Sequence, residues 1–197
     1  MQSIQPIADV LQELVWRIDV KQYHAMVESG ILTDDDPVEL LEGWLVFKLP
    51  KNPPHRTTIR LVRTALEQLL PEGWHVDSQE PITLIDSESE ADVVVVKGNT
   101  RQYLDRHPRA GDIALVIEVS DTTLQRDRTT KKRAYARSGI PIYWIVNLTE
   151  LQIEVYTQPL PTQANYRQRQ DYNRTDALSV IIDQTVAGEI EIATLLP

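Results

Sequence analysis

Past its first twenty residues the chain alternates helical and strand-like patterns. "VKQYHAMVESGILTDDD" places Tyr23, Met26 and Val27 at helical spacing, with Gly30 as a stop. "VELLEGWLVFKLP" predicts a strand or hairpin turning near Glu42-Gly43. The clearest helix is in "PPHRTTIRLVRTALEQLLPEG", where Ile59, Val62, Leu66, Leu69 and Leu70 form one stripe, Pro54 stands near the start and Pro71 ends it. Short strands are predicted around "WHVDSQ", "ITLID" and "ADVVVVK", a loop or short helix over 98–111, and a further strand in "IALVIEVS". Asp127 is positioned to cap a helix over "RTTKKRAYARSG", with Gly139 just beyond its end. "IYWIVNL" and "LQIEVYT" predict two strands joined by a tight turn at Thr149-Glu150. Residues 158–175, rich in Pro, Gln, Arg and Asn, predict a mobile hairpin, and "ALSVIID" and "GEIEIATLLP" close the chain as strand-like segments. With no repeat and no long linker, this order predicts one α/β domain over 1–197: a mixed central β-sheet flanked by helices, with a C-terminal β extension over 158–197.

Two positions break the apolar pattern. Glu118 lies inside "LVIEVSD", and Asp92 heads the four valines of "ADVVVVK". A carboxylate in such company is costly without a partner. If the two strands are neighbours and the side chains face the same way, both acids converge on one point. A divalent cation would relieve their repulsion, and Mg²⁺ (or Mn²⁺) suits two carboxylates with water and phosphate oxygens completing its shell. The pattern also allows Asp92 to end its strand in solvent while Glu118 pairs with an arginine. Lys131 and Tyr135 share a helix face downstream, where Lys131 could hold an attacking water or steady charge on a phosphate. Lys132 and Arg133 read as solvated surface.

Composition narrows the chemistry. At 197 residues the chain is long enough to bury a core, and having no cysteine it can form neither disulfides nor thiolate metal sites. The opening "MQSIQPIADVLQELVWRIDV" has no basic segment leading into an apolar run, and no stretch is long enough to span a bilayer, so a cytoplasmic protein without a membrane partner is expected. The net charge of −9 argues mildly against nucleic acid as a partner. However, 47–63 and 93–137 are net basic blocks that bracket the two acids, which is either solvated surface charge or a basic surface around an acidic site. Trp144 and Tyr143 read as packing residues. His24, His75 and His107 are isolated in sequence, and "EGWLV" is not a phosphate loop.

"ADVVVVK" followed by "LVIEVSDTTLQRDRTTKKRAYARSGIPIYWIVNL" resembles the Uma family, a set assigned to endonucleases within the PD-(D/E)XK, restriction-endonuclease-like superfamily. "YHAMVESGILTDDDPVELLEGWLV" and "PPHRTTIRLVRTAL" are similar to that family's opening, so the resemblance covers about 20–157. It implies a restriction-endonuclease-like core and metal-dependent hydrolysis of nucleic-acid phosphodiesters, DNA first among them. Asp92 and Glu118 would be the metal-binding and catalytic acids, with Lys131 as the catalytic lysine relocated to the helix. Tyr135, Glu39 and His55 would be auxiliary to the site. Ala91 stands where the family has proline, Ser120 where the superfamily keeps its lysine, and Ile142 where an acid is often found. Two readings compete with the enzyme: a nuclease-fold binding or accessory module that no longer cuts, and a hydrolase of a small phosphodiester. Double-strand cutting would call for two sites, hence a homodimer.

Overall fold

In the computed structural model, residues 15–197 are described. The reading of the opening sequence as carrying no signal peptide falls largely on residues 1–14, outside the described residues. Helix α1 (Val20–Glu28) leads into the hairpin β1 (Val38–Leu41) and β2 (Trp44–Phe47), then helix α2 (Pro53–Glu67). Strands β3 (Trp74–Asp77), β4 (Glu80–Thr83), β5 (Glu88–Ala91), β6 (Val93–Lys97) and β7 (Ile113–Ser120) follow. A helical segment then comprises α3 (Leu124–Arg126), a π turn (Asp127–Lys131) and α4 (Lys132–Arg137). The chain ends with β8 (Ile142–Asn147), β9 (Gln152–Leu160), β10 (Asn165–Asn173), β11 (Ala177–Ile182) and β12 (Thr185–Glu191).

The larger sheet has the order β10-β9-β8-β7-β6-β3 and is mixed: β7 and β8 run parallel, and the other neighbours are antiparallel. Both of its faces are covered, so β7 is buried along its whole length and reads as a nearly continuous apolar run. Alternate residues serve the two faces. Val93, Val95, Ile117 and Trp144 pack with α2 and the β11–β12 hairpin, while Val94, Val116, Tyr143 and Ile145 pack with α4. A smaller antiparallel sheet, β2-β1-β5-β4, lies beside the first, and β5 and β6 are almost one strand shared between them. The fold is therefore mixed α/β with a large sheet flanked by helices, as the pattern predicted.

Details differ from the sequence reading. The tight turn near Glu42-Gly43 is present, and both residues adopt positive φ, as a two-residue hairpin twisted like its strands requires. A side chain at Gly43 would also meet Arg17 Cβ at 2.8 Å. Helix α1 forms behind an Asp19 capping box, but buries none of its residues fully. Asp127 does not cap the helix: it begins at Leu124, and Asp127 lies inside the π turn, buried. Residues 158–175 form a regular hairpin rather than a loose one, with β10 paired along β9. Tyr143 and Trp144 are both fully buried.

Candidate active site

Asp92 stands at the single-residue joint between β5 and β6, where the chain passes from the small sheet to the large one. The β6–β7 pairing ends at Val93 and Ile117. Beyond it, Asp92 Oδ2 accepts the backbone N–H of Val119 at 2.9 Å, so the carboxylate takes over a donor that the ladder leaves free. His55 Nε2 is 3.1 Å from Oδ2, and Lys51 Nζ is 3.4 Å from Oδ1. Burial alone would raise the Asp92 carboxyl, but the His55 bond and the Lys51 charge outweigh it and hold it below its ordinary value. His55 is fixed in turn by the start of α2. Asn52 accepts the His55 N–H at 3.0 Å and donates to Asp121 at 2.6 Å, tying the helix to the end of β7.

Glu118 projects from β7 toward α4 and is about 4% exposed. Its Oε1 accepts from Lys131 Nζ at 3.0 Å and from the Tyr135 hydroxyl in a short bond. Among the described residues no hydrogen bond reaches Oε2. Burial pushes the carboxyl up, to about 8, against the pull of Lys131 and with the Asp92 charge adding to the push. Glu39, on β1, accepts from Ser89 Oγ and the Glu90 N–H, each at 3.2 Å, and lies 3.3 Å from Lys131 Nζ. Lys131 also donates to the Glu90 carbonyl at 3.1 Å. Burial opposes its charge, but Glu118 and Glu39 prevail and keep the ammonium protonated well above its ordinary range.

The six residues singled out from the sequence thus lie together. Asp92, Glu118, Lys131, Glu39 and His55 line one cleft, and Tyr135 braces Glu118 from behind. Of the basic blocks, Lys48, Lys51 and Arg126 reach its rim. Sequence reasoning passed over Lys51 and Arg126, although the basic block 47–63 was a signal for the first. It also passed over the Ser120–Asp127 bond of 2.7 Å. Ser120 is tied there to a buried carboxyl that burial raises above its ordinary value. The histidines are less isolated than their spacing suggested. His24 and His107 approach Glu88 at 3.1 and 3.9 Å, and His75 lies 3.4 Å from Asp77.

Among the described residues, no three His, Asp or Glu side chains form a ready cage for a metal ion. Mg²⁺ does not need one, since it takes one or two carboxylates and keeps water and phosphate oxygens for the rest. Glu118 and Asp92 line the cleft together, and Glu118 keeps one oxygen without a hydrogen bond, so that donor set fits such an ion.

A family model, Uma2, described as "Putative restriction endonuclease", matches residues 20–192 and so includes β10 to β12. A solved structure described as "a putative nuclease belonging to DUF820 from Anabaena variabilis" has the same fold. Its TM-score is 0.64 at 16% identity, over 85% of this chain and 94% of that chain. No curated protein matches the sequence.

Proposed function

The chain belongs to the Uma2 family, and from that premise we propose that it is a metal-dependent endonuclease, with DNA as the preferred substrate and Asp92, Glu118 and Lys131 as its catalytic residues. The observation that carries this reading is the meeting of two buried acids and a buried, protonated lysine in one cleft. Asp92 and Glu118 would hold Mg²⁺ or Mn²⁺. When bound, the cation supplies Lewis-acid polarisation of the scissile phosphate and acidifies a water.

The protein's own groups account for the rest. Lys131 is clamped by Glu118, Glu39 and the Glu90 carbonyl, which keeps it charged and so unsuited to act as a general base. It serves instead as a fixed positive charge facing the phosphoryl oxygens as they gain charge during in-line displacement. Tyr135 and Lys131 both bind Oε1 of Glu118, which turns Oε2 toward the ligand. His55 and the Val119 N–H orient Asp92. Lys51 is partly exposed at the rim and is free to leave Asp92 for a substrate phosphate. Among the described residues no helix is long and apolar enough to cross a membrane.

Calorimetric titration with Mn²⁺, run beside Glu118→Ala, tests the reading. Binding in the parent protein that disappears in the variant is expected, together with Mn²⁺-dependent cleavage of plasmid DNA. The engagement of Asp92 by Lys51 and His55 favours a second reading, a nuclease-fold binding module without activity. Absence of Mn²⁺ binding and of cleavage, even with oligonucleotide present, would establish that module and sink the enzyme.

A further inference from the structure

The protein has a single phenylalanine, Phe47, and it is 72% exposed. Phe47 ends β2, the edge strand of the small sheet, and projects from the same side as Leu45, itself 41% exposed. Leu49, two residues on, is 47% exposed and lines the cleft that holds Asp92 and Glu118. The strip is fastened to the cleft. Arg126, on its rim, donates to the Phe47 carbonyl at 3.0 Å, and Lys48 and Lys51 alternate with the apolar residues along the rim.

Charge decides what such a strip can bind. A nucleic-acid ligand held by its phosphates alone needs many free cations, but the protein carries a net charge of −9. Of the two lysines on the strip, Lys48 is held by Glu90 at 2.6 Å, which leaves Lys51, in a longer 3.4 Å pair with Asp92, to meet a phosphate. Affinity must then come largely from an uncharged contact. An exposed aromatic ring next to Lys48 supplies one, because every base has a π-face that stacks without regard to sequence. In a duplex those faces are already stacked, so only an unpaired base can use the ring. The depth of the site agrees with this. Asp92, Glu118 and Lys131 are all nearly buried, and a flexible single strand bends into such a cleft more readily than a rigid duplex.

We infer that residues 47–51 are a docking strip for unpaired nucleotides flanking the scissile phosphate, with a base stacked on Phe47 and packed against Leu49, and the backbone phosphate at Lys51. This rests on the nuclease reading and narrows it to substrates with single-stranded character. Binding at the strip draws on at most about three cations, so its dependence on salt is shallow, with a log–log slope of about −2.

Fluorescence anisotropy in EDTA reads the strip without cleavage, using a short labelled oligothymidylate and a blunt duplex of equal length. The parent protein is expected to bind the single strand about tenfold more tightly than the duplex. Phe47→Ala should weaken single-strand binding about tenfold with no change for the duplex, and Phe47→Trp should restore it, with its indole fluorescence quenched on binding. Equal affinity of Phe47→Ala and the parent for the single strand overturns the strip, as does tighter binding of the duplex or no binding of either. Loss of a dimer in Phe47→Ala, with single-strand affinity unchanged, overturns it too, in favour of an interface between copies. Failure of the nuclease reading looks different: the single strand binds through Phe47, yet neither Mg²⁺ nor Mn²⁺ brings about cleavage.

Discussion

Glu118 and Glu154 stand in one row across the large sheet. Glu118 on β7 lies beside Ile145 on β8, which lies beside Glu154 on β9, and the same helical segment covers both acids. Both are buried, yet their surroundings differ. Glu154 accepts from Arg128 at 2.5 and 2.9 Å, from Asn147 at 3.1 Å and from Tyr156 at 2.6 Å, and Arg169 lies 3.3 Å away. Burial would raise its carboxyl, but the Arg128 bond and the others more than compensate and hold it below its ordinary value. Glu118 receives both of its bonds on one oxygen and is pushed up instead. Burial marks neither as functional. What separates them is compensation: Glu154 is saturated by its neighbours, whereas Glu118 keeps an oxygen in hand beside an open cleft.

The largest expected effect breaks the pair apart by activity. Asp92→Asn and Glu118→Gln should each lower metal-dependent cleavage by at least about 10³-fold, equivalent to about 4 kcal/mol of transition-state stabilisation. Thermal unfolding should stay close to that of the parent. Glu154→Gln, in the same row, should cut at the parental rate per folded molecule. Steady-state cleavage of a labelled oligonucleotide decides it, and an Asp92→Asn or Glu118→Gln variant cutting at full rate would sink the assignment.

The second effect breaks them apart by stability. Arg128→Ala leaves Glu154 a buried carboxylate short of its main partner and should cost about 3 kcal/mol, moderated by Arg169, as a shift of the urea midpoint with unchanged slope. Lys131→Met tests the other acid. Glu118 can meet that loss by keeping its proton, so the cost in stability should be only about 1 kcal/mol, while cleavage falls about 10²-fold. Equal destabilisation by the two substitutions would erase the distinction between the acids.

The sequence displayed these two glutamates alike. "LVIEVSD" and "LQIEVYT" each place a glutamate in an apolar strand, but only the first has an aspartate heading the preceding valine run and a lysine on the helix that follows. What satisfies Glu154 is an arginine 26 positions away, a pairing that no periodicity reveals. The helices, the strands and the meeting of Asp92 with Glu118 were legible because they follow from local apolar pattern and from adjacent strands. The passage of the chain from one sheet to the other at Asp92 was not, since "ESEADVVVVK" runs as one extended pattern through the joint. Asp127 misled for a related reason. An aspartate ahead of a basic helix looks like a cap, and only the packed structure shows it a turn further in, bonded to Ser120.

The smallest effect sharpens the comparison by its sign, in metal-free protein. Glu154 has a folded value below the ordinary 4.5, so its contribution to stability is present above that pH and is lost as pH falls through the folded value. Glu118 has a folded value of about 8, above the same ordinary 4.5, so its contribution is complete below pH 4.5 and drains away as pH rises from there through 8. The two acids therefore shape opposite limbs of one stability curve. Urea unfolding in EDTA across pH 3 to 9 should show the acid limb flattened in Glu154→Gln and the limb from about pH 4.5 to 8 flattened in Glu118→Gln. A Glu118→Gln curve that follows the parent across that upper limb would mean that the native state stabilises the Glu118 carboxylate as fully as that of Glu154. The cleft would then lack the electrostatic deficit that a cation is proposed to fill.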